Sequence, residues 1–179
     1  MKMSNEELAA RLRIVPDYPV KGIMFFDVTT LFKDAECFEE IVSRVYEEYR
    51  DKGITKVAGI ESRGFIVGAA VAARLGAAFV PIRKPGKLPA ETVSESYSKE
   101  YGTDTIEIHS DAIVPEDVVL VHDDILATGG TASAAVRLVK RFAPAKVYCN
   151  FIIDITDCPR TSPIPEDVPV YSLLELAEK

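Results

Sequence analysis

Apolar positions along the chain recur with two patterns, helical spacing in some stretches and short strand-length runs in others, and the two alternate. Residues 5–13 read as a short amphipathic helix, broken by Pro16-Asp17-Tyr18-Pro19. Residues 21–33 are irregular and turn-rich, with Gly22 and the aromatic pair Phe25-Phe26. Residues 35–52 have helical spacing: Phe38, Ile41, Val42, Val45, Tyr46 and Tyr49 share one face, and Gly53 is placed to stop the helix. Residues 56–60 read as a strand, 64–75 as a small-residue-rich helix closed by Gly76, and 77–82 as a second strand. The rhythm breaks over residues 84–101, where Pro85-Gly86-Lys87-Leu88-Pro89 precedes a polar run from Glu91 to Glu100. A polar segment of that length inside an α/β domain is usually functional or disordered. Residues 105–109 alternate weakly and suggest an added strand. Beyond them come a buried strand at 118–122, a helix at 131–142 and a strand at 147–155. A proline-rich connection at 159–169 leads into a last strand at 168–174. Strand–helix–strand alternation predicts an α/β fold, a mostly parallel sheet flanked by helices. Residues 1–34 do not fit the alternation. They are expected to form a small N-terminal hood over the strand C-terminal ends, ahead of a core at 35–179 carrying a flexible loop at 84–103.

At 179 residues the chain has the length of one domain, and its 47% hydrophobic content is ordinary for a folded protein. No stretch suggests a membrane span, since the longest apolar runs are strand-length or carry charge, as Arg74 does in 66–75. Residues 1–13 alternate acidic and basic side chains and lack the apolar core of a signal peptide. Cys37, Cys149 and Cys158 are scattered, with no Cys-x-x-Cys and no Cys/His cluster for zinc; reduced thiols and a cytoplasmic location are expected. A net charge of −7 argues against general nucleic-acid binding. Residues 80–88 nevertheless carry Arg83, Lys84 and Lys87 with no acid, which suits a small anion better than a polyanion; a solvated basic loop is the plainer alternative.

The most informative segment is 118–131. An apolar strand leads to Asp123-Asp124, then to Ala127-Thr128-Gly129-Gly130-Thr131 at the head of a helix. Ligands of open α/β sheets sit beyond the strand C-termini. A glycine turn opening a helix offers free N–H groups and the positive dipole end to a phosphate. The carboxylates would repel that phosphate and are better suited to accept from sugar hydroxyls. A phosphate beside a polyol describes a ribose 5-phosphate. Neither a Walker A loop nor a Gly-x-Gly-x-x-Gly fingerprint is present. At the preceding strand ends, Glu61-Ser62-Arg63-Gly64 offers a forked guanidinium and a glycine that lets backbone approach a ligand. Residues 83–87 add basic groups. Three such ends at one sheet edge suit a ligand with two phosphate centres, a 5-phosphate on the glycine loop and a pyrophosphate on Arg63, Arg83 and Lys87. Glu100 is a candidate acid/base brought in by loop closure, or a solvated carboxylate. Residues 22–27 are a candidate aromatic wall for a planar base, or plain packing. His109 and His122 read as structural.

Residues 119–131 resemble the phosphoribosyl-pyrophosphate (PRPP) motif of the type I phosphoribosyltransferases. Residues 22–34, 59–64, 80–89 and 97–102 narrow the resemblance to the adenine phosphoribosyltransferases, over about 16–174. The resemblance implies transfer of phosphoribose from PRPP to adenine, giving AMP and pyrophosphate, with Mg²⁺ bound mainly through PRPP and no dedicated metal cage. By position, Ala127, Thr128, Gly129, Gly130 and Thr131 would hold the 5-phosphate, and Asp123 and Asp124 the ribose hydroxyls. Arg63, Arg83, Lys84 and Lys87 would hold pyrophosphate, with Ser62 beside them. Glu100 would shuttle a proton at the adenine imidazole ring, and Tyr101 would help close the loop. Met24, Phe25 and Phe26 would meet adenine, Phe25 by stacking and its neighbours through backbone. The catalytic set is then Arg63, Glu100, Asp123 and Asp124. The resemblance also implies a homodimer and a cis peptide between Ser62 and Arg63. The chemistry agrees: breaking the C1–pyrophosphate bond builds positive charge on ribose, which the aspartates stabilise. Two positions depart from the family, Phe26 for the usual Arg and His122 for the usual aliphatic residue. The competing readings are a sister enzyme for another purine and a nucleotide-sensing regulator on the same fold.

Overall fold

The computed structural model describes residues 2–98 and 102–177. It opens with α1 (Asn5–Ala10), set by a reciprocal cap in which Ser4 accepts from the Glu7 N–H and Glu7 accepts from the Ser4 N–H. β1 (Arg13–Pro16) and β2 (Met24–Asp27) then pair as an antiparallel ribbon. The sequence pattern suggested irregular chain there; four-residue strands are too short to show an alternation. A single turn, α2 (Thr29–Phe32), follows, its first N–H held by the Asp27 carboxylate at 3.0 Å. Helix α3 (Ala35–Tyr49) is capped by Asp34 and stops three residues short of the expected end, with Gly53 in the left-handed region just beyond.

The sheet follows. β3 (Lys56–Ile60), α4 (Gly64–Leu75) and β4 (Ala78–Ile82) fall within a residue of the positions read from the sequence. β7 (Val118–Leu126), α5 (Gly130–Lys140), β8 (Lys146–Ile155) and β9 (Val170–Leu176) complete the frame. β7 runs four residues longer than expected, because Asp123 and Asp124 remain in the strand. The five strands are parallel, in the order β4-β3-β7-β8-β9.

Residues 92–98, expected to lie in an irregular polar loop, form β5 (Thr92–Ser98), antiparallel to β6 (Thr103–His109). The Ser/Thr-rich run hides a strand whose single deeply buried side chain is Tyr97. Side chains and backbone both tie the hairpin to the sheet and its helices. Glu95 accepts from Arg137 on α5 and from Arg141 at its C-cap, and the backbones of Arg83 and Glu107 exchange hydrogen bonds at 2.9 and 2.8 Å.

Apolar side chains pack on both sheet faces. One cluster joins α3 and α4 to Leu8, Phe26, Val28 and Leu31 of the N-terminal segment; the other joins α5 to the hairpin through Tyr97, Ile106 and Ile108. The segment from Met3 to Leu31 thus shares a core with the sheet. Burying Leu8, Val28 and Leu31 completely contributes roughly 1.5–3 kcal/mol each. Among the described residues no helix is long and apolar enough to cross a membrane.

Candidate active site

The strand order makes β4, β3 and β7 neighbours, so the chain segments leaving their C-terminal ends, 83–87, 61–64 and 123–131, meet at one edge. Successive strand residues point to opposite faces, and the aspartate pair uses this. Asp124, 3% exposed, turns toward the head of α4 and forms an ion pair with the Arg63 guanidinium. Asp123 turns the other way. It lines a cavity of about 150 Å³ with Glu61, Arg83, Lys84, Tyr97 and Thr131. Burial, and then the neighbouring Asp124 carboxylate, push the Asp123 carboxyl well above the usual range.

Gly64 makes this arrangement possible. A Cβ there would stand 2.8 Å from the His122 carbonyl oxygen and 3.1 Å from the Asp123 carboxylate. What this glycine admits is strand β7, where the sequence suggested a ligand. A cis peptide is present, but between Glu61 and Ser62, one bond earlier than the resemblance implied. Neither bond precedes proline, so the sequence carries no local signal for it.

The basic residues gather at this edge, and Arg83 and Lys84 each meet a carboxylate. Arg83 Nε lies 3.3 Å from Glu61, and Arg83 Nη1 donates to the Lys87 carbonyl at 3.2 Å. The Lys84 N–H donates to Glu61 at 2.9 Å, and its ammonium pairs with Asp104. The Lys84 N–H, followed by Arg83, holds the Glu61 carboxyl below its ordinary range despite some burial. Lys87 is exposed. Residues 80–88 hold no acid, but the segment after β3 and the hairpin bring three: Glu61, Asp104 and Glu107, whose carboxylate accepts from the Gly86 N–H at 3.2 Å. Glu61 was legible as part of a motif; Asp104 gave no signal, being one acid among many.

The glycine turn sits where β7 gives way to α5. Gly129 is the helix N-cap, with φ +87°. A small cavity of about 100 Å³, lined by Ala127 to Ala132 together with Asp123, Ile125 and Leu126, adjoins the first through Asp123 and Thr131. The Gly129, Gly130 and Thr131 N–H groups find no acceptor among the described residues. Thr131 Oγ1 donates to the Tyr97 hydroxyl at 3.0 Å, and that hydroxyl donates to Asp104 at 3.2 Å. Tyr97 thus joins the glycine turn to the basic loop.

On the hood side, the Phe25 ring stands 5.8 Å from the Arg63 guanidinium, with Tyr18 edge-on to it at 5.1 Å. Met24 and Phe25 are half-buried. Phe26 is 4% exposed and its side chain belongs to the core, which leaves only backbone for a base. Glu100 and Tyr101 lie outside the described residues. His122 is buried, with Nδ1 2.8 Å from Asn150 Oδ1. The Asn150 amide donates to the Tyr171 carbonyl at 3.0 Å, so its oxygen accepts and His122 carries its proton on Nδ1. His122 Nε2 has no partner among the described residues, and burial holds the ring's pKa down to about 4. Among the described residues no group of three or more His, Cys, Asp or Glu is arranged to hold a metal ion.

The chain matches the phosphoribosyl transferase domain family over residues 30–174. It is 62% identical over 174 residues to an adenine phosphoribosyltransferase of Phocaeicola vulgatus, covering 97% of this chain and all of that one. Among solved structures it is similar to adenine phosphoribosyltransferase from Rhodothermus marinus, with a TM-score of 0.90, 49% identity, and 96% and 98% of the two chains covered. It is also similar to the Giardia lamblia enzyme complexed with 9-deazaadenine, with a TM-score of 0.91, 36% identity, and 97% and 98% covered. With a relative this close along nearly its whole length, and with the glycine turn, aspartate pair and basic loop at one sheet edge, the chain belongs to the adenine phosphoribosyltransferase family.

Proposed function

We propose that the protein transfers 5-phosphoribose from PRPP to adenine, forming AMP and releasing pyrophosphate. The observation that carries this reading is the placement of Asp123 between two anion-compatible surfaces, the Gly129–Thr131 amides and the Arg83–Lys84 loop. The 5-phosphate rests on the N–H groups and hydroxyls of 127–131, at the positive end of α5. Asp123 and Asp124 accept from ribose hydroxyls. Arg63 orients the Asp124 carboxylate, which keeps lone pairs for a ligand. Arg63, Arg83, Lys84 and Lys87 receive pyrophosphate, the first three exchanging their present carboxylate partners for the ligand.

In the reaction the C1–oxygen bond to pyrophosphate breaks, the electron pair leaves with pyrophosphate, and an adenine ring nitrogen bonds to C1 and gives up its proton. Positive charge that builds on the ribose faces the aspartates in a partly desolvated site. Glu100 takes up the proton in this reading. Phe25 flanks the base, and the Met24 and Phe26 backbone reads its edge; the choice of adenine, not these contacts, is supported by the 9-deazaadenine bound to the Giardia relative.

Mg²⁺ would be bound mainly through PRPP, with Glu61 and Asp123 as the carboxylates that line the cavity and no cage of protein ligands. When bound, it neutralises pyrophosphate charge. A cytoplasmic location agrees with the free cysteines, and a homodimer rests on the family resemblance.

The test is pyrophosphate release from PRPP and Mg²⁺, with adenine, hypoxanthine, guanine and xanthine offered in parallel. Release with adenine alone, and AMP as co-product, is expected. Release with another base reassigns the substrate, and binding of AMP without release under any condition favours a nucleotide sensor.

A further inference from the structure

The connection between β8 and β9 passes behind the glycine turn and binds the carbonyl side of its peptides. Arg160 Nη1 donates to the Ala127 carbonyl and, at 3.4 Å, to the Leu126 carbonyl. Its Nη2 pairs with Asp154, the β8 residue that stands beside Leu126 in the sheet. Two residues on, the Ser162 N–H donates to the Thr128 carbonyl at 3.2 Å. The next carbonyl, of Gly129, accepts from Ser133 at 2.8 Å as the first bond of α5. The fit is close, since a Cβ on Gly129 would run into the Ser162 carbonyl oxygen.

In a trans peptide unit the C=O and N–H point in opposite directions. Holding the Ala127 and Thr128 carbonyls from behind therefore turns the Thr128 and Gly129 N–H groups forward, where successive amides make an anion-binding concavity. Without a partner those carbonyls would be free to rotate toward the phosphate side and repel it. Arg160 suits the task because its planar fork reaches a carbonyl and a carboxylate together, and Asp154 fixes the fork on rigid strand β8.

We infer that Arg160, braced by Asp154, is a positioning residue for the 5-phosphate, setting the amide direction of the 127–131 turn without touching the ligand. The inference rests on the proposed phosphate role of that turn.

The test compares AMP with adenosine, which differ only by the 5-phosphate, by titration calorimetry on the full chain. In the wild type AMP should bind far more tightly than adenosine; equal binding would overturn the phosphate reading of the turn itself. Given that preference, Arg160→Met should cut the ratio of the two affinities at least tenfold while adenosine binding stays within about twofold. Arg160→Lys, which keeps the charge but cannot span both partners, and Asp154→Asn should each give an intermediate fall. They carry the test if Arg160→Met does not fold. In steady state the KM for PRPP should rise more than the KM for adenine. An unchanged affinity ratio, or equal losses for AMP and adenosine, would mean that Arg160 only supports the fold, and the inference fails.

Discussion

Arg63, at the head of α4, is ion-paired to Asp124, at the end of β7, although 61 residues separate them in the chain. The pair changes what Arg63 does before a ligand arrives. Its Nε is committed to the carboxylate, and its guanidinium lies beside Phe25. Only the remaining N–H groups are left for pyrophosphate, so Arg63 links the ribose side of the site to its base side. Asp124→Asn keeps a hydrogen-bond acceptor but removes the charge. Turnover should fall on the order of 100-fold, the scale of losing one electrostatic contact to a transition state. The melting temperature should move little, because the Arg63 side chain is 41% exposed and water replaces its partner. Wild-type turnover in this variant would remove Asp124 from the chemistry.

Asp123→Asn should separate stability from function. In the folded protein its carboxyl titrates well above the unfolded value of 3.8, through burial and the charge of Asp124. A raised carboxyl favours the folded state at low pH, and that contribution is lost as pH rises through the folded pKa. The side chain therefore costs stability near neutrality, and an amide escapes the cost. The ligand-free variant should melt higher at pH 7.5, by about 2–4 °C for each ~1 kcal/mol in a chain of this size. The gain should shrink at pH 4, while turnover is largely lost. A variant that melts lower at pH 7.5 would contradict this account.

The parallel frame was legible because its strands are buried on both faces, as in 56–60, and because the helix at 35–49 has amphipathic spacing. The glycine turn and aspartate pair were legible because the residues bearing the chemistry are contiguous. β5 was not, since its Ser- and Thr-rich sequence buries only Tyr97 deeply, and its stability comes from Arg137, Arg141 and the partner strand. Asp104 and Arg160 were missed for a related reason. Each acts on a segment more than 15 residues away, Asp104 on Lys84 and Arg160 on Ala127, and only the fold makes them neighbours.

Gly129→Ala should damage the turn from within. Gly129 has φ +87°, and a Cβ there would strike the Ser162 carbonyl. Strain from the backbone alone costs about 1–3 kcal/mol, and relief requires the turn and the 160–162 connection to move apart. Both the midpoint of urea unfolding and AMP affinity should fall. AMP affinity equal to the wild type would place the phosphate elsewhere.

Glu100→Gln addresses the proposed proton transfer. PRPP binding should be preserved, because no contact to the phosphates is assigned to this residue. The single-turnover rate should fall by about 100-fold, a common contribution of one acid/base group. An unchanged single-turnover rate would take Glu100 out of the mechanism.

The buried His122–Asn150 pair should govern part of the acid sensitivity of the fold. Unfolded His122 takes up a proton near pH 6.5, whereas the folded ring resists until about 4 because it is buried. A depressed histidine contributes its full stability above pH 6.5, and the contribution is lost as pH falls from there toward 4. Over that window the loss is on the order of 3 kcal/mol. Asp123 acts in the opposite sense, so the comparison must be between variants. Asn150→Val alone leaves the His122 Nδ1–H buried without an acceptor and should cost about 1–3 kcal/mol at pH 7. Adding His122→Val removes the orphaned donor and also the unpartnered Nε2, and should recover most of that loss. Urea unfolding at pH 7 and pH 5 measures both effects. Between those two pH values the double variant should lose less stability than the wild type. Equal losses would show that His122 is not the group whose protonation weakens the fold in acid.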